Sequence, residues 1–287
     1  MIQSRKEAEF LSNRSFNPET EKDDILSTTP DEFLKGLERA DTYLPFPAET
    51  SPVPPGSRVV VHTDPRSAGA DRFRLVQIRL RHLQASKKLK SLLITSPLPG
   101  DGKSTVALNL ATALSEKGKR AVLLLEADVY RPSLVKRLGL NPWPGLTEYF
   151  ESKGDPMLAI RRIDPLGFYL LPAGRATEGG SLLQFAFTSQ LMEGLATTFR
   201  WIIIDSPPTT PMAEILALKA HSDATLLVSR AGRTPREAIE EATRTIGRDH
   251  VLGIILNGVE GLDHVYSKYY GYVEPVRRAK LPWFSLK

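Results

Sequence analysis

The sequence predicts an α/β fold in which a mostly parallel sheet is flanked by helices on both faces. Six apolar runs rich in Leu, Ile and Val show little polar alternation, which is typical of strands buried on both faces. Helix-like stretches alternate with these runs along the chain. One run leads directly into a glycine-containing loop and then a helix, the setting of a phosphate-binding loop. The expected fold is therefore that of a P-loop NTPase.

The predicted elements follow one another in alternation. Strands are expected at residues 91–95, 121–125, 167–171, 201–204, 224–228 and 251–256. Helices are expected at residues 104–116, 181–198, 213–220 and 235–246. Parallel strands need such crossover helices, because the chain must return to the same edge of the sheet before the next strand begins.

Composition narrows the possible functions. The chain has 287 residues, 41% of them apolar, no cysteine and a formal net charge of +5. Disulfides and thiolate metal sites are excluded. The longest apolar runs are far shorter than the roughly 20 residues that span a bilayer, and the N-terminus does not resemble a signal peptide. We expect a protein of the reducing cytoplasm.

Charge and proline content divide the chain into three expected parts. Residues 1–66 carry 8 Lys/Arg against 12 Asp/Glu and form an expected flexible, acidic leader. Five prolines between Pro45 and Pro55 favour an extended linker there. Residues 67–262 form the expected P-loop domain. Residues 263–287 form a tail with a tyrosine cluster and a basic end.

The loop after the first predicted strand of that domain carries the chemistry. It reads Ser96-Pro97-Leu98-Pro99-Gly100-Asp101-Gly102-Lys103-Ser104-Thr105. It matches G-x-x-x-x-G-K-[ST] except that Pro97 replaces the first glycine. Glycines let backbone N–H groups surround phosphate oxygens, and the following helix directs its positive end at the same anion. Residues expected to bind ATP here are Pro99, Gly100, Asp101, Gly102, Lys103, Ser104 and Thr105.

Carboxylates follow two other predicted strands. Glu126 and Asp128 come after residues 121–125, and Asp205 follows residues 201–204. Because parallel strands present their carboxyl ends at one edge of the sheet, these acids should converge on Lys103. Ser104, Asp128 and Asp205 are the expected Mg²⁺ ligands. The expected catalytic residues are Lys103, Glu126, Asp128 and Asp205, with Asp128 or Glu126 accepting the proton of an attacking hydroxyl.

These motifs together resemble those of the bacterial tyrosine kinases of capsular and exopolysaccharide synthesis. The loop resembles S-P-x-P-G-E-G-K-S-T, the segment 126–132 resembles D-x-D-x-R-x-P, and residues 205–208 match the D-S-P-P box. Residues 253–257 resemble the strand that ends beside the nucleotide base, which implies that Asn257 contacts ATP. The resemblance covers about residues 65–273 and implies a P-loop NTPase of the superfamily that also contains the partitioning and division-site ATPases.

The resemblance implies ATP-dependent, Mg²⁺-dependent phosphorylation of tyrosine, first on the chain's own tail between subunits. The acceptors would be Tyr266, Tyr269, Tyr270 and Tyr272. It further implies a homo-oligomer, a membrane-bound activator of the polysaccharide co-polymerase type, and a cognate tyrosine phosphatase. The chain would be cytoplasmic and recruited to the inner face of the membrane, with no nucleic-acid partner.

Departures from the family pattern keep two alternatives open. Glu126 replaces an aspartate, and E-x-x-R-x-x-R reads Asp71-x-x-Arg74-x-x-Gln77. The arginine expected at position 130 is displaced by one residue, with Tyr130 in its place and Arg131 following. A nucleotide-binding regulator without kinase activity is one alternative. The other is a partitioning-type ATPase that binds DNA or membrane through residues 72–90, which hold seven Lys/Arg. Leu98 argues against the second, because partitioning ATPases carry an extra lysine there.

Overall fold

The computed structural model describes residues 44–176, 189–210 and 214–260, all within one compact unit, Asp41–Lys287. Eight strands form one sheet in the order β1-β4-β5-β3-β6-β2-β7-β8. They are β1 Ala48–Thr50, β2 Ser91–Thr95, β3 Val122–Glu126, β4 Arg161–Asp164, β5 Phe168–Leu171, β6 Trp201–Asp205, β7 Ala224–Arg230 and β8 Val251–Asn257. Only β4 and β5 pair antiparallel among these neighbours. The predicted α/β fold with a mostly parallel sheet is confirmed.

Helices flank this sheet. In the described residues they are α1 Val60–Thr63, α2 Ala68–Lys87, α3 Lys103–Ser115, α4 Leu134–Arg137, α5 Leu146–Glu151, α6 Ser189–Thr198, α7 Glu214–Ala220 and α8 Arg236–Ile246. Short 3₁₀ turns lie at Pro55–Ser57, Pro156–Ala159 and Arg248–His250. None of the described helices is both long and apolar enough to cross a membrane.

The sheet separates two hydrophobic cores. Leu92 and Ile94 of β2 pack into one core with α2 and α3, whereas Leu93 between them packs into the other with α6 and α7. All three side chains have 0% exposure. Alternate residues of a strand point to opposite faces, so a strand covered on both faces must be apolar throughout. Burial of each such side chain stabilises the fold by roughly 1.5–3 kcal/mol.

The strand order brings the predicted site residues to one edge. β6 lies between β2 and β3, with Ile94 and Glu126 each opposite Asp205 in the register. The loop after β2 and the acidic ends of β3 and β6 therefore meet at the carboxyl edge, where open α/β sheets bind ligands.

The packed domain begins earlier than the expected boundary at residue 66. β1 pairs with β4 in parallel, and Val59 is fully buried in the core that contains α3. The expected extended linker is thus an edge strand followed by a 3₁₀ turn. Prolines forbid a helix in this segment but are tolerated at the edge of a sheet, where no further strand needs their N–H groups. Residues 1–43 of the expected leader lie outside the described residues.

Candidate active site

The predicted phosphate loop joins β2 to α3. Gly100 has φ 87° and Gly102 has φ 102°, values in the left-handed region that favours glycine. Gly102 is also the N-cap of α3, and a Cβ at this position would overlap the side-chain amide of Asn257. The loop therefore needs glycine at 102 for both its conformation and its close neighbour. Its backbone N–H groups and the start of α3 together suit a bound phosphate.

Asp101 braces this loop from within. Its carboxylate accepts hydrogen bonds from Leu98 N at 3.1 Å and from Thr234 Oγ1 at 2.8 Å. The Asn257 side chain donates to the Asp101 carbonyl oxygen at 2.8 Å. The Asp101 side chain is thus committed to the protein, which leaves its backbone N–H as the group available to ATP. Asn257 lines the same cleft as Gly102 and contacts the loop directly.

Lys103 lies near two carboxylates. Its Nζ donates to Asp128 Oδ2 at 2.8 Å. Burial acts to lower the pKa of Lys103, but the charges of Asp205 and Asp128 outweigh burial and raise it above its usual value. Asp128 also accepts from Arg131 N at 3.1 Å. The lysine is therefore fully charged at neutral pH and held beside the loop.

Asp205 is almost fully buried and lies beside the Ser104 hydroxyl. It is 1% exposed, and neither carboxylate oxygen accepts a hydrogen bond of standard geometry from the residues that the structure describes. Burial raises the pKa of Asp205 to about 6, while the Lys103 charge and the nearby Ser104 hydroxyl oppose the rise. Buried polar groups are almost always paired. A buried carboxylate beside a serine hydroxyl is the kind of oxygen pair that suits Mg²⁺.

Glu126 lies opposite Asp205 at the end of the adjacent strand β3, but its carboxylate contacts a different part of the chain. Its Oε1 accepts from Ser133 N at 2.5 Å and Leu134 N at 2.8 Å, and its Oε2 accepts from Ala173 N at 3.3 Å. Burial raises the pKa of Glu126 to about 7, against the effect of these N–H donors. The carboxylate is 1% exposed and caps the start of α4. Of the two carboxylates predicted to accept a proton, only Asp128 contacts Lys103 among the described residues.

Three arginines near the loop were not predicted as site residues from the sequence. Arg58, Arg137 and Arg230 line a cleft of about 520 Å³ together with Lys103 and Ser104. No motif marks these positions, and Arg58 lies in the segment expected to be a leader. Only the chain path, which brings the 3₁₀ turn and the ends of α4 and β7 to the loop, gathers them. The cleft is consequently more basic than the loop motif alone suggests.

The remaining residues singled out in the sequence lie in the C-terminal tail and on α2. Tyr266, Tyr269, Tyr270 and Tyr272 lie outside the described residues. On α2, Asp71 and Arg74 form an ion pair with each other, and Arg81 Nη1 binds Glu116 Oε1 at 2.6 Å. Gln77 Nε2 donates to the same Glu116 oxygen at 3.3 Å. Gln77 and Arg81 therefore link α2 to Glu116, the residue that follows α3.

Comparison with known proteins shows which family this chain resembles over most of its described domain. The ParA family model, described as NUBPL iron-transfer P-loop NTPase, matches residues 88–259. Tyrosine-protein kinase YwqD of Bacillus subtilis is 28% identical over 216 residues, covering 74% of this chain and 91% of that protein. Tyrosine-protein kinase CpsD of Streptococcus agalactiae is 31% identical over 201 residues, covering 68% of this chain and 87% of that protein. Both relatives are matched over most of their length.

A longer relative and two solved structures extend the comparison. Succinoglycan biosynthesis transport protein ExoP of Rhizobium meliloti is 29% identical over 77% of this chain, which spans only 30% of that protein. The VpsO kinase domain superposes with a TM-score of 0.57 at 26% identity, covering 66% of this chain and 95% of that domain. The kinase domain of Escherichia coli tyrosine kinase ETK gives 0.66 at 21% identity, covering 80% and 84% of the two chains. The ETK likeness supports the fold alone.

Proposed function

Because this chain belongs to the bacterial tyrosine kinases within the ParA-type P-loop NTPase family, we propose that it transfers the γ-phosphoryl group of ATP to protein tyrosine residues in the control of exopolysaccharide synthesis and export. The observation that carries the proposal is the convergence of Lys103, Asp128 and Asp205 at the phosphate loop. Lys103 lies 2.8 Å from Asp128, and the buried Asp205 accepts no hydrogen bond of standard geometry from the described residues. A cation, a carboxylate base and a free metal ligand are what phosphoryl transfer requires.

The reaction balances with these groups. The phenol oxygen of tyrosine forms a bond to the γ-phosphorus as the bond to the β–γ bridging oxygen breaks, and ADP leaves. A tyrosine of pKa about 10 is protonated at neutral pH, so its proton must pass to a base. Asp128 supplies that base once phosphate oxygens compete with it for Lys103. Lys103 and the loop amides neutralise the charge on the transferred group.

The proposed cofactor is Mg²⁺. No group of three or more His, Cys, Asp or Glu side chains forms a metal site within residues 44–176, 189–210 and 214–260. Mg²⁺ commonly takes one or two carboxylates together with substrate phosphates and water. Asp205 and Ser104 would hold it, with Asp128 nearby. When bound, Mg²⁺ supplies positive charge at the phosphate oxygens.

We further propose a membrane-associated setting. The chain matches a portion of ExoP, whose name describes a transport protein of succinoglycan biosynthesis. A membrane-bound activator of the polysaccharide co-polymerase type would recruit this chain from the cytoplasm to the inner face of the membrane. We also propose that the chain forms homo-oligomers and that a cognate tyrosine phosphatase removes the phosphate groups from its tyrosines. No nucleic-acid partner is proposed.

Mixing two variants tests transfer to the tail. One is Lys103→Met, which keeps the tyrosines but lacks the loop lysine. The other has a wild-type site and Phe in place of Tyr266, Tyr269, Tyr270 and Tyr272. We expect mass spectrometry to find phosphate on these four tyrosines of the Lys103→Met chain, because a subunit with an intact site can reach its neighbour's tail.

The tail proposal has a clear contrary result. If wild-type protein phosphorylates itself but its phosphates map to Tyr43, Tyr149 or Tyr169, the tail is not the acceptor. If the phosphates map to the tail of the wild-type chain while the mixture stays blank, the transfer occurs within one chain.

A further inference from the structure

We propose that Arg137 binds the phosphate groups of the nucleotide and that Glu126 is the positioning residue that holds Arg137 in place. This inference rests on the proposed function, since it requires ATP in the cleft beside the loop. It assigns a role to one residue outside every recognised motif, and it changes the role of another from proton acceptor to positioning residue.

Arg137 is directed at the phosphate loop. Its Nη1 donates to Thr105 Oγ1 at 3.1 Å, in the first turn of α3. It lines the 520 Å³ cleft together with Lys103 and Ser104. Its charge is near enough to both Lys103 and Asp205 to lower their pKa values. A guanidinium has five N–H donors in a planar fork that suits phosphate oxygens, so one bond to Thr105 leaves donors for a ligand.

Glu126 fixes the helix that carries Arg137. Arg137 is the last residue of α4, and the first N–H groups of that helix donate to Glu126 Oε1. The third contact, from Ala173 N, ties the same carboxylate to the segment after β5. A helix of four residues has little stability of its own, so its orientation depends on such contacts. The chain of contacts runs from Glu126 through α4 to Arg137 and then to Thr105.

The same geometry argues against Glu126 as a base. All three described hydrogen bonds to its oxygens come from backbone N–H groups, and its side chain is 1% exposed. It lines a second cleft of about 740 Å³, which includes Trp143 and Lys136 and is distinct from the loop cleft. Tyr130, at the position where the family pattern has arginine, donates its hydroxyl to Glu214 at 2.6 Å. Arg137 therefore supplies a cation that position 130 does not.

Nucleotide titration tests the role of Arg137. We expect Arg137→Ala to weaken binding of both MgATP and MgADP about tenfold, the loss typical of a hydrogen bond between charged groups. Lys136→Ala is the matched control, because this neighbouring exposed cation belongs to the same helix but lines the other cleft. Its affinity should equal that of the wild type. Wild-type affinity in Arg137→Ala would overturn the inference, whereas a wild-type chain that binds no MgATP would overturn the proposed function and this inference with it.

Two substitutions at Glu126 separate positioning from proton transfer. Glu126→Gln keeps the length and the acceptor oxygen for α4, so we expect MgATP affinity near that of the wild type. Glu126→Asp keeps the charge but withdraws the oxygens, so we expect MgATP binding about fivefold weaker or more. In an Arg137→Ala background the Glu126→Asp change should cost little further affinity. A purely structural role would instead lower affinity additively, and a base would leave affinity unchanged in both variants while Glu126→Gln lost phosphotyrosine formation. Either pattern would overturn the positioning role.

Discussion

Lys103→Met should weaken MgATP binding by at least about a hundredfold and abolish tyrosine phosphorylation. The ammonium group belongs to the first residue of α3, lies 2.8 Å from Asp128 and would face the phosphates of the proposed complex. A hydrogen bond between charged groups is worth up to about 3 kcal/mol, which corresponds to more than a hundredfold in affinity. Its loss also leaves two carboxylates facing the incoming phosphates. Isothermal titration with MgATP measures the effect.

The control for this change is Lys119→Met, an exposed lysine just beyond the far end of the same helix. It should bind MgATP as the wild type does. Wild-type affinity in Lys103→Met itself would show that the loop does not bind phosphate in the proposed way.

Asp205→Asn should separate metal dependence from nucleotide binding. The variant should lose most of the gain in ATP affinity that Mg²⁺ gives, while its affinity for metal-free ATP changes little. The reason is that Asp205 is the carboxylate without a hydrogen-bond partner in the described site, beside Ser104. Titrating ATP with and without Mg²⁺ measures both affinities. An equal response to Mg²⁺ in both proteins would remove Asp205 from the metal site.

The same substitution should stabilise the nucleotide-free protein at high pH. Burial raises the pKa of Asp205 from 3.8 to about 6, so its contribution to stability is fully present below about pH 3.8 and is lost as pH rises through 6. At pH 8 the wild type carries the whole penalty of roughly 2–3 kcal/mol, from a shift of about two pKa units. Asn carries no charge, so urea unfolding should show a stability gain at pH 8 that is smaller at pH 4.5.

Asp223→Asn provides the matched contrast. The Asp223 carboxylate accepts from Lys90 N at 2.7 Å, Ser91 N at 2.7 Å and Ser91 Oγ at 3.0 Å. Removing a charge that has such donors should destabilise the protein, whereas removing the Asp205 charge, whose burial outweighs the effects of Lys103 and Ser104, should stabilise it. Destabilisation by Asp205→Asn at pH 8 would mean that its burial is compensated in the folded state.

The central strands could be predicted closely from sequence because they are apolar throughout. The predicted strand 91–95 matches β2, Ser91–Thr95, at both ends. The predicted strand 201–204 matches β6 except that β6 also includes Asp205. β1 and β4 could not be predicted in the same way. β1 has three residues between prolines, and β4 has three charged residues among its four, so neither shows an apolar run. Their pairing depends on contacts more than 100 residues apart in the sequence, which no local pattern encodes.

Part of the candidate site could likewise be predicted from the sequence, and part could not. Local motifs suffice to place Gly102, Lys103 and Ser104 where a loop ends and a helix begins, and strand ends suffice to bring Asp128 and Asp205 beside them. The role of Glu126 depends on which backbone N–H groups face it, and these come from residues 133, 134 and 173. Arg137 likewise reaches Thr105 only because α4 turns back toward α3. The spacing of residues in the sequence does not predict tertiary contacts of this kind.

One measurement tests the central claim most directly. Purified full-length chain is incubated with Mg²⁺ and ATP labelled at the γ-phosphate, alone and with a candidate membrane activator, beside Lys103→Met. Label on protein tyrosine and release of ADP are both quantified. We predict label on tyrosine in step with ADP release for the wild type and none for the variant. ATP converted to ADP and free phosphate with no label on tyrosine, under both conditions, would contradict the account and identify a nucleotide switch instead of a kinase.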